Sequence, residues 1–168
     1  FTISGGVDPA PGPEIQVRDG STDLVDGTAE VSFGRTIVGT PVSKTFTVKN
    51  LGAAALTLQP LTVPNGFSVS TDIASGTVLA AGGQTTFTVR LDAALQGDYN
   101  GVLSFVNNDS DENPFNFTIS GGVDTPPEPE IEVLDGSTDL VDGTAIVRFG
   151  RTIEGVPVSK TFTVKNLG

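Results

Sequence analysis

Apolar and polar residues alternate along this chain over short stretches, and no stretch shows the apolar period of a helix. The clearest alternation covers residues 43–49, where Phe46 and Val48 share one face and threonines occupy the other. Residues 85–91 repeat the pattern. Alternation over so few residues, bounded by Gly, Pro and Asn, is typical of a half-buried β-strand. The chain is therefore predicted to be all-β.

Further strands follow from the same pattern. Residues 101–106 and 115–120 are predicted to form a hairpin closed by the polar loop 107–114. Weaker strands are predicted at residues 14–18, 30–33, 55–58 and 67–70. Alternating phenylalanines are expected in the core: Phe33, Phe46, Phe87, Phe105 and Phe117. Eight short strands between turn signals favour an antiparallel β-sandwich.

The chain contains an internal repeat. Residues 1–52 and 117–168 carry nearly the same sequence, offset by 116 positions, and only nine of the 52 positions differ. A period of this length is a whole domain, larger than the repeat unit of a solenoid. The chain is therefore predicted to be a section of a tandem array of β-sandwiches.

The repeat predicts the domain boundaries. We expect residues 1–7 to be the last strand of a preceding repeat, 14–123 a complete repeat, and 130–168 the first half of the next. The segments between them, 8–13 and 124–129, are rich in proline. Spaced prolines favour an extended polyproline-II conformation of limited flexibility. Short Pro-rich linkers are thus predicted to join neighbouring sandwiches.

The differences between the two copies suggest a strand pairing. In the second copy, apolar residues replace both Arg18 and Glu30. Gln16 and Ser32 are replaced there by two residues of opposite charge. Side chains opposite each other on antiparallel strands often change together. We therefore predict neighbouring antiparallel strands in which Arg18 lies opposite Glu30 and Gln16 opposite Ser32.

Composition excludes several classes of function. The net charge of −11, from 20 acidic and nine basic residues, opposes binding to nucleic acid and to anionic membranes. No apolar run reaches the length that spans a bilayer, so membrane insertion of this segment is not expected. Histidine and cysteine are absent, which removes the usual general base, thiolate metal sites and disulfides. We expect no enzyme activity.

The loop 107–114 contains the first candidate metal site. Asp109, Asp111 and Asn113 stand at alternate positions, as oxygen ligands do at the start of a calcium loop. Pro114 occupies the place of the turn glycine in such loops, and no glutamate follows at the twelfth position. The alternative is a hairpin loop whose Asn and Asp side chains bind its own backbone. Calcium is the only cofactor that the sequence suggests.

A second acidic cluster follows the first predicted strand. Asp19, Asp23 and Asp26 lie within eight residues and recur in the second copy as Asp135, Asp139 and Asp142. Three carboxylates at this spacing are a second candidate for a cation site. Asp-Gly pairs also form turns, and the turn interpretation is favoured here.

Lys44 shares the parity of the apolar residues in its predicted strand. We expect its apolar stem to lie along the edge of the core with the amine reaching solvent.

Four segments together resemble a known family: Phe33-Gly34, TFTVKNLGAAALTL (45–58), GGQTTFTVRLDA (82–93) and GVLSFVNNDSDENPFNFTISG (101–121). This pattern is similar to the choice-of-anchor D repeats of bacterial surface proteins, relatives of the abnormal-spindle/hydin type of immunoglobulin-like domain. The resemblance implies an immunoglobulin-like sandwich, secretion, and attachment to the cell surface through an anchor outside this segment. It implies no catalytic residues.

These observations predict a structural role. We expect a repeat segment of a long secreted or cell-surface bacterial protein that forms a fibre, stalk or filament. Its expected partners are neighbouring repeats of the same chain and other copies in a filament. The alternative is a calcium-dependent adhesive or ligand-binding immunoglobulin-like module of a larger surface protein.

Overall fold

The computed structural model of the protein describes residues 12–168. This part of the chain consists of strands and loops, and it divides into two compact units between Thr125 and Pro126. The strands are β1 (Ile15–Asp19), β2 (Thr22–Leu24), β3 (Glu30–Ile37), β4 (Val42–Asn50), β5 (Leu56–Leu58), β6 (Phe67–Thr71), β7 (Thr77–Leu79), β8 (Gln84–Leu91), β9 (Gly97–Phe105), β10 (Phe115–Asp124), β11 (Ile131–Asp135), β12 (Thr138–Asp139) and β13 (Phe162–Asn166). The predicted strand at 1–7 and most of the predicted linker 8–13 lie outside the described residues.

The first unit contains a five-stranded sheet with the order β2-β1-β4-β8-β6. All its neighbouring strands are antiparallel. The two strands with the clearest alternation pair directly, with Phe46 opposite Phe87. Both phenylalanines are buried, while Thr45 and Thr88 lie on the outer face and share a hydrogen bond. The amphipathic pattern therefore fixes which face of this sheet meets the core.

The facing sheet has the order β3-β10-β9. The predicted hairpin is confirmed as β9 and β10, which pair antiparallel with Phe105 opposite Phe115. The prediction of a wholly antiparallel sandwich is wrong at one point, because β3 runs parallel to β10. A short ladder of β5 and β7 completes the unit. The sequence pattern did not predict the three-residue strands β2 and β7.

The predicted pairing of Arg18 with Glu30 is wrong. The strand that carries Arg18, β1, lies between β2 and β4, whereas β3 carries Glu30 in the other sheet. The side chains at these positions form ion pairs with an adjacent strand of their own sheet instead. Arg18 binds Asp23 on β2, and Glu132, which replaces Gln16 in the second copy, binds Lys165 on the strand beside it.

Phenylalanine rings join the two sheets of the first unit. Phe46 stacks on Phe87 with centroids 5.0 Å apart and contacts Phe117 in the facing sheet at 5.4 Å. Phe87 in turn meets Phe105 at 5.8 Å. The five phenylalanines that the sequence places in the core are all buried, which confirms that prediction. Burying a ring of this size contributes about 2–3 kcal/mol, so these contacts are the main support of the sandwich.

The path of the chain gives the first unit two distinct poles. At one pole, β1 begins next to the loop 107–114, because the Ile15 N–H binds Asp109 in that loop. We call this the Asp109 pole. β10 starts at the same pole and runs ten residues to Asp124 at the other, which we call the Asp124 pole. The chain therefore enters β1 at one pole and leaves β10 at the opposite one.

The second unit repeats part of this arrangement. β11 pairs with β12 and β13, and the register of Ile131 opposite Asn166 reproduces that of Ile15 opposite Asn50. Residues 146–153, which correspond in sequence to β3, form no strand.

Candidate functional site at the Asp109 pole

Three polar residues are buried within the described part of the chain: Asn50, Asn107 and Asp109. All three lie at the Asp109 pole of the first unit. Each buried side-chain polar atom described here has a hydrogen-bond partner. Burying a polar group without a hydrogen bond costs free energy of folding. The hydrogen bonds at this pole therefore hold its loops in one conformation.

Asp109 ties the loop 107–114 to the start of the sandwich. Its side chain is 2% exposed, and one carboxylate oxygen accepts a hydrogen bond of 2.8 Å from the backbone N–H of Ile15. Asn107 holds the loop from within: its amide donates to the Glu112 carbonyl, and its side-chain oxygen accepts from the Asp109 N–H. The loop therefore binds its own backbone, as the alternative interpretation of the sequence expected, and also binds β1.

Asn108 joins this loop to the segment of β5, and a neighbouring contact holds the start of β10. The side chain of Asn108 accepts from the Thr57 N–H at 2.7 Å and donates to the Ala55 carbonyl at 3.1 Å. On the other side, Asp26 accepts from the Asn116 N–H at 2.6 Å. The loop thus connects β1 and β5, and the turn between β2 and β3 binds the start of β10 next to it.

Asn50 is the residue at this pole that the sequence reasoning missed. Its side-chain oxygen accepts from the N–H groups of Glu14 and Gly52, and its amide donates to the carbonyls of Ala54 and Leu79. These four bonds fix the segment before β1, the loop after β4 and the end of β7. An asparagine that closes a run of alternating apolar residues and is followed by Leu-Gly is the only sequence signal of this role.

The three residues of the first candidate metal site differ in burial. Asp109 is buried, whereas Asp111 and Asn113 are exposed. The Asn113 side chain accepts from the Asn107 N–H at 3.2 Å.

The second candidate cluster is also divided among different partners. Asp19 binds Lys44 at 2.7 Å, Asp23 binds Arg18 at 2.7 Å, and Asp26 reaches the Asp109 pole. Lys44 is half-buried on the central strand of its sheet, and this contact pairs its amine with a carboxylate. The second unit repeats it as an ion pair between Lys160 and Asp135.

Carboxylates from both clusters approach Glu112. Partial burial raises the pKa of Glu112 to about 7, and repulsion from Asp109, Glu14, Asp26 and Asp111 adds to the shift. Residues 12–168 contain no group of three or more acidic side chains arranged to hold a metal ion. The calcium site stays a prediction. Partners within the protein are seen for five of the six candidate ligands: Asp109, Asn113, Asp19, Asp23 and Asp26.

A separate ion-pair cluster lies near the Asp124 pole. Arg35 on β3 donates to both oxygens of Asp124 at 2.9 and 2.5 Å and to Asp98 at 2.9 Å. These hydrogen bonds raise the pKa of Arg35, and the bond with Asp124 has the largest effect. The hydrogen bond from Arg35 holds the pKa of Asp124 below its ordinary value. The Asp124 carbonyl also accepts from the Val38 N–H. The chain is thus held to β3 immediately before it leaves the first unit.

The family model of the HYDIN/CFA65/VesB-like Ig-like domain matches residues 27–122, more than half of the chain. The chain belongs to this family. The match covers β3 to β10, and it confirms the immunoglobulin-like domain of hydin type that the sequence resemblance implied. The family match does not confirm the more specific resemblance to choice-of-anchor D repeats.

Several solved structures are similar to the chain. The PapD-like domain 7 of human CEP192 is 16% identical, covers 76% of this chain and 99% of its own, and has a TM-score of 0.49. The Vibrio cholerae VesB protease is 27% identical over 57% of this chain, with a TM-score of 0.43, and the match spans 30% of the VesB chain. A Porphyromonas gingivalis protein of unknown function is 16% identical over 73% of this chain, with a TM-score of 0.47. No curated protein matches the sequence.

Among residues 12–168, the structure contains no helix of the length and hydropathy that a membrane crossing requires.

Proposed function

We propose that this chain is a spacer: a segment of a long secreted or cell-surface protein in which successive immunoglobulin-like sandwiches extend a stalk or fibre. The observation that carries this proposal is the separation of the two poles in the first unit. β1 begins at the Asp109 pole, and β10 ends ten residues later at the Asp124 pole. Ten residues of strand span roughly 30 Å, so each unit would add nearly its full length to the chain.

Both ends of the first unit are held in place, which supports an extended rather than a floppy array. Asn50 and Asp109 bind the backbone of Glu14 and Ile15 at one pole. Arg35 and Val38 hold Asp124 at the other. Residues 125–130 follow without a strand and include three prolines. A Pro-rich segment between two fixed points restricts the directions that the next unit can take.

Catalysis is not part of the proposed role. Asp109 and Asp26 bind backbone N–H groups, and the chain has no histidine or cysteine. The proposed partners are neighbouring repeats of the same chain, with other copies in a filament. The similarity of the sequence to repeats of bacterial surface proteins supports an extracellular location.

Electron microscopy of the native material tests the assembled form. A filament whose axial repeat matches one or two sandwich lengths supports a fibre, and isolated beaded threads support a single-chain stalk. Compact particles without any axial repeat would contradict both forms of the proposal.

The second candidate function is a calcium-dependent adhesive module. The observation in its favour is the group of carboxylates around Glu112, whose mutual repulsion a cation would relieve. If calcium binds here, the melting temperature of the chain rises with calcium concentration and falls when a chelator is added. Magnesium at the same ionic strength is the control. An identical melting temperature in calcium, magnesium and chelator would reject this candidate and leave the spacer proposal intact.

A further inference from the structure

A pull along the chain reaches the first unit through β1 and β10. The chain enters β1 at the Asp109 pole and leaves β10 at the Asp124 pole, and both strands run from the first pole towards the second. Tension therefore draws β1 backwards along its own axis and draws β10 forwards along its own. Force along a strand acts at right angles to the hydrogen bonds of an antiparallel ladder, so all the bonds of that ladder share the load.

The strand through which the chain leaves is held on both sides. β10 pairs with β9 over residues 115–123 and with β3 over residues 118–124. At the end that is pulled, Arg35 on β3 crosses β10, binding Asp124 there and a carboxylate on β9. Gly122 leaves room for this bridge, because a Cβ at that position would lie 2.5 Å from the guanidinium. β10 can slide only when both ladders and the bridge give way together.

The strand through which the chain enters has a shorter ladder and extra bonds at the end that is pulled. β1 pairs with β4 over residues 15–19. Just before it, the Glu14 carbonyl accepts from the Leu51 N–H at 2.7 Å, and the Glu14 N–H donates to Asn50 at 3.3 Å. Because fewer bonds share the load here, β1 is the weaker of the two strands that receive the tension.

One buried hydrogen bond links these two strands directly. Asp109, in the loop that leads into β10, accepts from the N–H of Ile15, the first residue of β1, at 2.8 Å. Tension moves these two groups apart. Asp109 and Ile15 are only 2% and 4% exposed, so water does not take the place of the bond while it is under load. The bond therefore opposes the first movement that a pull would cause.

We propose that the first unit has a load-bearing function: its two outer strands in the chain are pulled along their axes, and the unit yields at β1 when the bond between Asp109 and Ile15 breaks. This inference rests on the proposed spacer role, since an extended array passes tension from pole to pole. It adds a property that length does not require, because a spacer without load needs no buried link between the strands at which the chain enters and leaves.

Single-molecule force spectroscopy on the full chain tests the proposal. The chain has no cysteine, so two introduced cysteines define the points of attachment. One version carries Gly12→Cys and Thr125→Cys and is pulled from pole to pole. The other carries Gly12→Cys and Asp111→Cys, both at the Asp109 pole, and is pulled across the strands. A Cβ at Gly12 meets no atom within 4 Å, and Thr125 and Asp111 are exposed.

We expect the unfolding force to be at least about twofold higher from pole to pole, because bonds that are loaded together resist more than bonds that break one after another. Each version should release roughly 300–400 Å of chain, the extended length of the residues between its two attachment points. Release of that length shows that the first unit was folded before it was pulled.

Asp109→Ala in the pole-to-pole version separates load from overall stability. The matched variant is Leu79→Ala, which removes a buried side chain from β7, a strand that does not pair with β1 or β10. Leu79→Ala is expected to cost at least as much stability in urea as Asp109→Ala. Forced unfolding depends on the bonds that break first, so Asp109→Ala should nevertheless lower the unfolding force more.

Two results would overturn the inference. One is an unfolding force from pole to pole that is equal to or lower than the force across the strands. The other is a loss of force in Leu79→Ala that equals or exceeds the loss in Asp109→Ala. Neither result bears on how far each repeat extends the chain, so the spacer proposal stands or fails separately, by the length of the array.

Discussion

The carboxylate of Asp109 accepts a hydrogen bond from the backbone N–H of Ile15 across 94 positions of sequence. This bond joins the loop before the last strand of the first unit to the first residue of its first strand. Because both groups are buried, neither finds water when the other is removed. The loop before β10 and the start of β1 are therefore coupled at the Asp109 pole.

Asp109→Ala is expected to destabilise the first unit by about 1–3 kcal/mol, because it leaves the buried Ile15 N–H without an acceptor. Urea unfolding followed by circular dichroism measures the change. Asp111→Ala removes an exposed carboxylate two residues away and is the matched control, expected within about 0.5 kcal/mol of the unmodified chain. Equal losses in the two variants would show that the charge of the loop, rather than this bond, matters.

Asn50→Ala is expected to cost at least about 2 kcal/mol, since the side chain makes four hydrogen bonds in a buried site. Asn100→Ala removes an exposed amide from β9 and is the control, expected to change stability by less than about 0.5 kcal/mol. The account of the pole fails if both variants melt alike.

Arg35→Gln is expected to loosen the exit from the first unit while changing its stability little, because the ion pairs are exposed. Backbone ¹⁵N relaxation should show lower order parameters at Asp124 and at the residues that follow it. Arg151→Gln alters the corresponding residue of the second unit and should leave these order parameters unchanged. Unaltered order at Asp124 in the Arg35 variant would mean that the Val38 contact alone holds the exit.

Glu112 predicts a pH dependence of stability. Its pKa is raised from 4.5 to about 7 in the folded protein, so the folded state keeps a proton that the unfolded state loses. Stability from this group is therefore present below pH 4.5 and declines as pH rises towards 7. Glu112→Gln should melt at a higher temperature than the unmodified chain at pH 8 and at the same temperature at pH 4.

The control for Glu112 is Glu30→Gln, which removes an equal charge from an exposed position on β3. It should change the melting temperature little at either pH. If the advantage of Glu112→Gln is the same at pH 4 and pH 8, the raised pKa is not its cause.

The alternation of apolar and polar residues was enough to predict the all-β class, the hairpin of β9 and β10, and the buried phenylalanines. It was not enough to predict pairing. The substitutions at Arg18 and Glu30 looked coupled, yet these residues lie in different sheets and have different neighbouring strands. Two coincident changes between only two copies carry little information about contact.

Residues 146–153 show why part of the fold lay beyond sequence reasoning. Almost the same eight residues are a strand in the first unit and form none in the second, and the difference is the presence of β10 beside them. Strand formation here depends on a distant partner rather than on local preference. The same holds for the site: Asn50 and Asp109 gain their roles only when distant loops meet, and neither residue type nor spacing identifies those partners.

The central claim is that each repeat adds its length to the chain. Small-angle X-ray scattering of chains containing two, three and four complete repeats tests it most directly. The strand and linker lengths predict that the maximum dimension grows by a constant roughly 35–50 Å per repeat. A maximum dimension that grows with a shrinking increment, as in a chain that folds back on itself, would contradict the claim.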